Sequence, residues 1–167
     1  LQATFDQHGN VDLASMERQV AFNIACGTHG LAFPVLGGEL PYLSEAERRR
    51  LVEVVVGAAA GQVPVVVGVT APVTPIAVEY ARHARQVGAD AVIALPAYPD
   101  AGSREYIRDY YRAIADAAQM PVFIQHTGGS LTPAFMAELI REIEWLQYVK
   151  EETPPSGHSI TAVRQAV

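Results

Sequence analysis

The chain has 167 residues, of which 50% are hydrophobic and 18% are charged, and its formal net charge is -6. The apolar content excludes a disordered chain, and the acidic balance argues against nucleic-acid or anionic-membrane partners, because both require concentrated positive charge. The single cysteine, Cys26, excludes an internal disulfide framework or a cysteine-based zinc cluster, which fits a reducing, cytoplasmic compartment.

Short apolar segments alternate with helical patterns along the chain. Most helix starts carry a capping residue; for example, Ser44 and Glu47 form a predicted capping box. The following Arg48, Arg49 and Arg50 are expected on the solvated face of that helix. Helices are predicted to begin near Asp12, Ser44, Thr74, Ser103 and Thr132, and another occupies residues 160–167.

Five segments are apolar on both faces, which is typical of strands buried in a parallel sheet. The predicted strands are residues 30–34, 63–69, 89–95, 121–125 and 146–150, with a possible sixth near residues 2–5. Their spacing of roughly 25–35 residues is that of repeated βα units.

Repeated βα units fit either an open doubly wound sheet or a (β/α)8 TIM barrel. The chain lacks the glycine-rich dinucleotide and phosphate loops, which disfavours the open nucleotide-binding sheet. A barrel typically needs about 250 residues. We therefore predict one TIM-barrel domain over residues 1–167, truncated after about six βα units. Its open sheet edges predict either a longer protein or pairing with another copy.

Ligands of parallel α/β proteins gather at the carboxyl ends of strands. Lys150, the only lysine, ends a run that is expected to be buried. Burial favours the uncharged amine, which can attack a ketone and form a Schiff base. The alternative is a lysine that is ion-paired with Glu151 or Glu152 on a loop.

Other polar side chains follow the predicted strands. His126, next to Gln125, is interpreted as a general base or a ligand for a substrate carboxylate, or alternatively as a loop histidine bonded to backbone. Tyr98 either relays a proton or forms a pocket wall. Glu39, after two glycines, either caps a turn or braces the site. The spacing of acidic and histidine residues predicts no metal site.

Several short motifs occur in an order and spacing that are specific when taken together. They are residues 3–6 with Gly9 and Asp12, residues 35–39 with Ser44 and Glu47, residues 88–91 with 96–98, and residues 148–151. This set resembles the dihydrodipicolinate synthase and N-acetylneuraminate lyase family. The resemblance covers essentially the whole chain and places Lys150 at the Schiff-base position.

The resemblance implies a (β/α)8 barrel and a small-molecule 2-keto acid substrate, often pyruvate. It also implies no metal or organic cofactor and a homo-oligomer, a tetramer or dimer. Gly37, Gly38 and Glu39 would shape the loop that binds the substrate carboxylate, and Gln125 would line the pocket. The expected function is a Schiff-base lyase of the aldolase or sugar-acid dehydratase type.

The chain departs from the family pattern at positions that relay protons. Leu36 and Gly37 stand where the family has two threonines, and Gln125 stands where it has a tyrosine. His126 replaces an asparagine and is a hypothetical replacement base. These departures disfavour an authentic 4-hydroxy-tetrahydrodipicolinate synthase, which remains an alternative, as does a non-catalytic binding or assembly module on the same fold.

Overall fold

The structure, a computed structural model, describes residues 1–97, 102–129 and 131–167. Within these residues, the strands are β1 (Leu31–Phe33), β2 (Val65–Gly68), β3 (Ala91–Ala94), β4 (Val122–His126) and β5 (Leu146–Glu151). The α-helices are α1 (Leu13–Ala25), α2 (Glu45–Ala59), α3 (Thr74–Val87), α4 (Arg104–Ala118), α5 (Pro133–Glu142) and α6 (Ser156–Ala166). All five predicted strands are present. In place of a sixth strand, Phe5 makes an isolated antiparallel bridge with Val11.

The helix starts follow the predicted capping chemistry. The Ser44 hydroxyl accepts a hydrogen bond from the Glu47 amide at 3.3 Å, and the Ser44 amide donates to Glu47 Oε2 at 2.9 Å. This reciprocal pair is a complete capping box, so two amides at the start of α2 are satisfied. Side-chain caps at α1, α4 and α5 come from Asp12, Ser103 and Thr132. The last helix begins at Ser156, earlier than predicted, directly after Pro155.

The chain divides into two compact units, and the first comprises Leu1–Gly68 and His83–Ala91. Here β1 and β2 pair in parallel, with Leu31 opposite Val65 and Phe33 opposite Val67. The apolar faces of α1 and α2 contribute to the core of this unit. Its fully buried side chains include Met16, Val20, Phe33, Leu51 and Val55.

Arg48 lies inside the first unit, and the expectation that it is solvated is therefore wrong. The side chain is buried, and its Nη2 donates a hydrogen bond to the Gly68 carbonyl oxygen at 2.7 Å. A buried guanidinium needs such partners, because an unpaired buried charge is costly. Arg50, two positions later on the same helix, is exposed as expected.

The second unit comprises Val69–Arg82 and Val92–Val167. It contains β3, β4 and β5 as parallel neighbours. The core of this unit is apolar, and the polar tips of buried aromatics have partners; the Tyr111 hydroxyl donates to the Ala94 carbonyl oxygen at 2.8 Å. Burial raises the pKa of Tyr111 well above its ordinary value. Fully buried residues of this core include Tyr110, Tyr111, Ile114, Phe135, Met136 and Leu139.

Strand β5 is less buried than the sequence predicts. Leu146 is buried, but Gln147 and Tyr148 are exposed and Val149 is half-buried. The reason is that β5 pairs with β4 along one edge, and no strand in the described ranges pairs with its other edge. Tyr148 instead stacks on Phe123 of β4, with ring centroids 4.5 Å apart. The expected burial of the whole run from Leu146 to Val149 is therefore wrong.

Candidate active site

The register of β4 against β5 separates the candidate residues into two clusters. Gln125 is aligned with Lys150, and the next pair along the strands is His126 with Glu151. Successive side chains of a strand point to opposite faces of the sheet. Gln125 and Lys150 therefore share one face, whereas His126 and Glu151 share the other.

The first cluster contains Lys150, Glu152 and Gln125, at the carboxyl ends of β4 and β5. Lys150 Nζ forms an ion pair with Glu152 Oε2, and Gln125 Nε2 donates a hydrogen bond to the same oxygen at 2.8 Å. Gln125 is buried, whereas the Lys150 and Glu152 side chains are 39% and 40% exposed. A small molecule in solution can therefore reach the amine, which is held by a carboxylate rather than desolvated as the sequence predicts.

The Glu152 carboxylate is stabilised in its ionised form. Partial burial of Glu152 favours the protonated acid and opposes ionisation. The hydrogen bonds from Lys150 and Gln125, together with the charge of Lys150, outweigh that effect and hold the pKa of Glu152 below its ordinary value. At neutral pH this group is therefore a carboxylate that can accept a proton.

The second cluster is a buried histidine–carboxylate pair. His126 Nδ1–H donates to Glu151 Oε2 at 2.7 Å, and the two side chains are 8% and 4% exposed. The Thr153 amide donates to the other Glu151 oxygen at 2.7 Å. Burial opposes ionisation of Glu151, but the hydrogen bonds from His126 and Thr153 outweigh it, so the pKa of Glu151 lies below its ordinary value.

One atom of this second cluster lacks a polar partner. His126 Nε2 is buried and makes no hydrogen bond among the residues that the structure describes. A cavity of about 400 Å³ adjoins the cluster, between the ends of β4 and β5 and the first turns of α5 and α6. Its lining includes His126, Gly128, Leu131, Glu151, Thr153 and His158.

The remaining predicted site residues are Gly37, Gly38, Glu39 and Tyr98. Gly37, Gly38 and Glu39 belong to the first unit, where Leu36–Gly38 forms a 3-10 turn. Gly38 is buried against backbone, since an added Cβ would lie 2.8 Å from the Leu1 carbonyl oxygen. Glu39 adopts a left-handed backbone with φ of 66°, and its carbonyl accepts from the Tyr42 amide. Tyr98 lies outside the described residues.

The sequence analysis did not identify Glu152 as a site residue and named it only as an alternative ion-pair partner for Lys150. The alternation of a strand contains the missing signal, because residues two apart lie on the same face. Lys150 and Glu152 are two apart, whereas Lys150 and Glu151 are not. The same rule explains why the structure does not bring His126 together with Lys150.

In residues 1–97, 102–129 and 131–167, no group of three or more His, Cys, Asp or Glu side chains is arranged as a metal site requires. None of the helices in these ranges is both long enough and apolar enough to span a membrane.

Comparisons with known proteins extend over nearly the whole chain. The L-2-keto-3-deoxyarabonate dehydratase of Azospirillum brasilense is 33% identical over 163 residues, which are 94% of this chain and 53% of the relative. The 4-hydroxy-tetrahydrodipicolinate synthase of Parvibaculum lavamentivorans is 38% identical over 123 residues, 74% of this chain and 42% of the relative. The chain thus spans about half the length of the curated relatives it matches.

A solved structure shows that the similarity extends to the fold. The Escherichia coli K12 protein YagE, determined in complex with pyruvate, superposes with a TM-score of 0.93 at 25% identity. The match covers 99% of this chain and 57% of that structure, and the predicted TIM-barrel fold class is confirmed. The model of the dihydrodipicolinate synthetase family matches residues 1–166. The chain therefore belongs to the dihydrodipicolinate synthetase family.

Proposed function

We propose that the protein is a lyase that acts on pyruvate or another 2-keto acid through a Schiff base on Lys150. The observation that carries this proposal is the position of the amine, which lies at the carboxyl end of β5 and is 39% exposed. Substrates of TIM barrels bind at this end of the strands. Relatives named as a keto-deoxy sugar-acid dehydratase and a family member solved with pyruvate support the substrate class.

The proposed bond cleavage depends on the ability of an iminium to withdraw electrons. The Lys150 amine adds to the keto carbon of the substrate, water leaves, and the resulting iminium withdraws electrons from the neighbouring carbon. A carbon–carbon or carbon–oxygen bond one position further can then break. In this proposal Gln125 lines the pocket, Gly37, Gly38 and Glu39 shape the carboxylate loop, and Tyr98 relays a proton or forms a wall.

The proposal is tested by trapping the Schiff base. The full chain is incubated with pyruvate, or with a longer 2-keto acid, in the presence of cyanoborohydride, and the adduct is located by peptide mass spectrometry. We expect a reduced adduct on Lys150. Lys150→Arg keeps the positive charge but removes the nucleophile, so that variant should give no adduct. No adduct with any keto acid would favour the non-catalytic module and contradict the proposal.

Authentic 4-hydroxy-tetrahydrodipicolinate synthase is the second candidate, because several relatives carry that name. Leu36, Gly37 and Gln125 occupy positions where the resemblance requires hydroxyl side chains, so this candidate lacks its expected proton relay. A chain that traps pyruvate but fails to condense it with an aldehyde would favour a dehydratase or an aldolase over the synthase. Consumption of a 2-keto-3-deoxy sugar acid, followed by carbonyl analysis of the product, then separates dehydration from cleavage.

A further inference from the structure

We propose that Glu152 is a catalytic residue that accepts a proton from Lys150 and returns it during formation of the Schiff base. This inference rests on the proposed function. It assigns to Glu152 a task that the resemblance gives to hydroxyl side chains, which are replaced here by Leu36, Gly37 and Gln125. The two hypotheses are tested by different results. The proposed function fails if no adduct forms on Lys150, whereas the role of Glu152 fails if the rate of adduct formation does not depend on its carboxylate.

The geometry places Glu152 at the reacting atom. Glu152 Oε2 contacts Lys150 Nζ directly, and Gln125 Nε2 donates to the same oxygen at 2.8 Å. A side-chain amide is neither an acid nor a base near neutral pH, so Gln125 orients the carboxylate without competing for the proton. Gln125 is buried at the position where the resemblance expects a tyrosine, which makes it a fixed anchor for Glu152.

The side chains of β4 and β5 that share a face with Lys150 indicate that Glu152 is its proton acceptor. On the same face of β4 and β5 lie the aligned Gln125, the stacked Phe123 and Tyr148, and the Glu152 carboxylate. Glu151 projects to the opposite face, where it pairs with His126. Of these side chains, Glu152 is the carboxylate in contact with the amine, and it is ionised because its pKa is below the ordinary value.

The proposed steps balance in atoms and charge. The Lys150 ammonium transfers a proton to Glu152, giving a neutral amine and a neutral carboxylic acid. The amine adds to the keto carbon, and one of its two remaining protons passes to the former carbonyl oxygen to give a carbinolamine, while the other stays on the nitrogen. Glu152 then donates its proton to that hydroxyl, water leaves, and an iminium and a carboxylate remain. The net reaction converts an ammonium and a ketone into an iminium and water.

This arrangement changes how the rate depends on pH. The pair of neutral amine and carboxylic acid holds as many protons as the pair of ammonium and carboxylate. The fraction of the protein that holds the neutral pair is therefore independent of pH, as long as Lys150 and Glu152 together hold one titratable proton. Without Glu152, the amine must lose its proton to the solvent before it reacts, so the rate of trapping rises with pH for as long as the amine is mostly protonated.

The test compares initial rates of cyanoborohydride trapping with pyruvate at several pH values near neutrality. Glu152→Gln removes the proton acceptor but keeps the shape of the side chain. We expect it to slow trapping about 100-fold or more and to make the rate rise steeply with pH. Glu152→Asp keeps a carboxylate and should recover part of the rate and the shallow pH dependence. Glu144→Gln, at an exposed site preceding β5, is the control for loss of one negative charge.

The outcomes separate a catalytic from a structural carboxylate. Thermal melting of each variant establishes that it is folded, and Glu152 is exposed enough for its substitution to be tolerated. Equal or faster trapping by Glu152→Gln, with an unchanged pH profile, would overturn the inference, because a carboxylate that only holds the ammonium slows the reaction. If wild type itself forms no adduct, the proposed function fails first.

Discussion

The pair of His126 and Glu151 combines deep burial with charge. The Glu151 side chain is 4% exposed and accepts hydrogen bonds from the His126 ring and the Thr153 amide. Removing one partner of such a pair leaves the other buried without a hydrogen bond, at a cost of about 1–3 kcal/mol. The pair therefore holds the end of β5 against β4 on the face of the sheet opposite Lys150.

The pair also predicts how stability depends on pH. The pKa of Glu151 in the folded chain lies below its ordinary value of 4.5, so the folded state binds the proton less readily than the unfolded state. The stabilisation is therefore complete above about pH 4.5 and is lost as the pH falls through the lower, folded pKa. Glu151→Gln should be less stable than wild type at neutral pH by about 1–3 kcal/mol.

Urea unfolding at neutral pH and at stepwise lower pH measures this effect. The difference in free energy of unfolding between wild type and Glu151→Gln should shrink as the solution is acidified. Glu144→Gln, at an exposed position, controls for the general loss of negative charge. If the difference stays constant down to pH 3, the carboxylate is not stabilised by its hydrogen bonds in the way the structure indicates.

Residue-level prediction succeeded where one local rule decided the outcome. The capping box of Ser44 and Glu47 formed as predicted, because both partners lie within one helical turn. Arg48 did not follow its local pattern, because its partner is the carbonyl of Gly68, 20 residues away. His126 was grouped with Lys150 because both follow strands, although their positions in register place them on opposite faces.

At the level of elements, the end of β2 packs directly on the backbone that follows β1. A Cβ added at Gly68 would overlap the carbonyl oxygen of Pro34, which is backbone and cannot rotate away. The Gly68 carbonyl also accepts the hydrogen bond of the buried Arg48. The apolar valines of β2 predict this strand from the sequence. The close contact of Gly68 with Pro34 cannot be predicted in the same way, because it depends on a residue outside β2 and leaves no periodic pattern in the sequence.

A pair of matched substitutions tests this packing. Gly68→Ala should destabilise the chain by about 3 kcal/mol or more, because the new methyl group forces two strands apart. Gly57→Ala is the control; Gly57 is exposed within α2, and its added Cβ would meet nothing within 4 Å. Alanine favours a helix over glycine by about 0.5–1 kcal/mol, so this variant should be more stable than wild type. Similar unfolding midpoints for the two variants would contradict the packing.

For the whole molecule, the sequence predicted the order of helices and strands but not how fully β5 is covered. An apolar run predicts a strand from its own residues, whereas the exposure of that strand depends on the elements that pack beside it. Tyr148 is 48% exposed and stacks on Phe123, and one edge of β5 has no strand partner within the described ranges. An unpaired edge beside an exposed aromatic side chain favours association with another chain.

We therefore expect the 167-residue chain to associate with a second copy through β5, which sedimentation velocity over a range of protein concentrations can measure. Tyr148→Arg should weaken the association, because it places a charge beside the unpaired edge, where charged side chains oppose strand addition. Tyr42→Arg makes the same change at an exposed tyrosine of the first unit and should leave the association unchanged. A well-folded monomer at every concentration would contradict the prediction, and equal weakening by both variants would show that association does not involve β5.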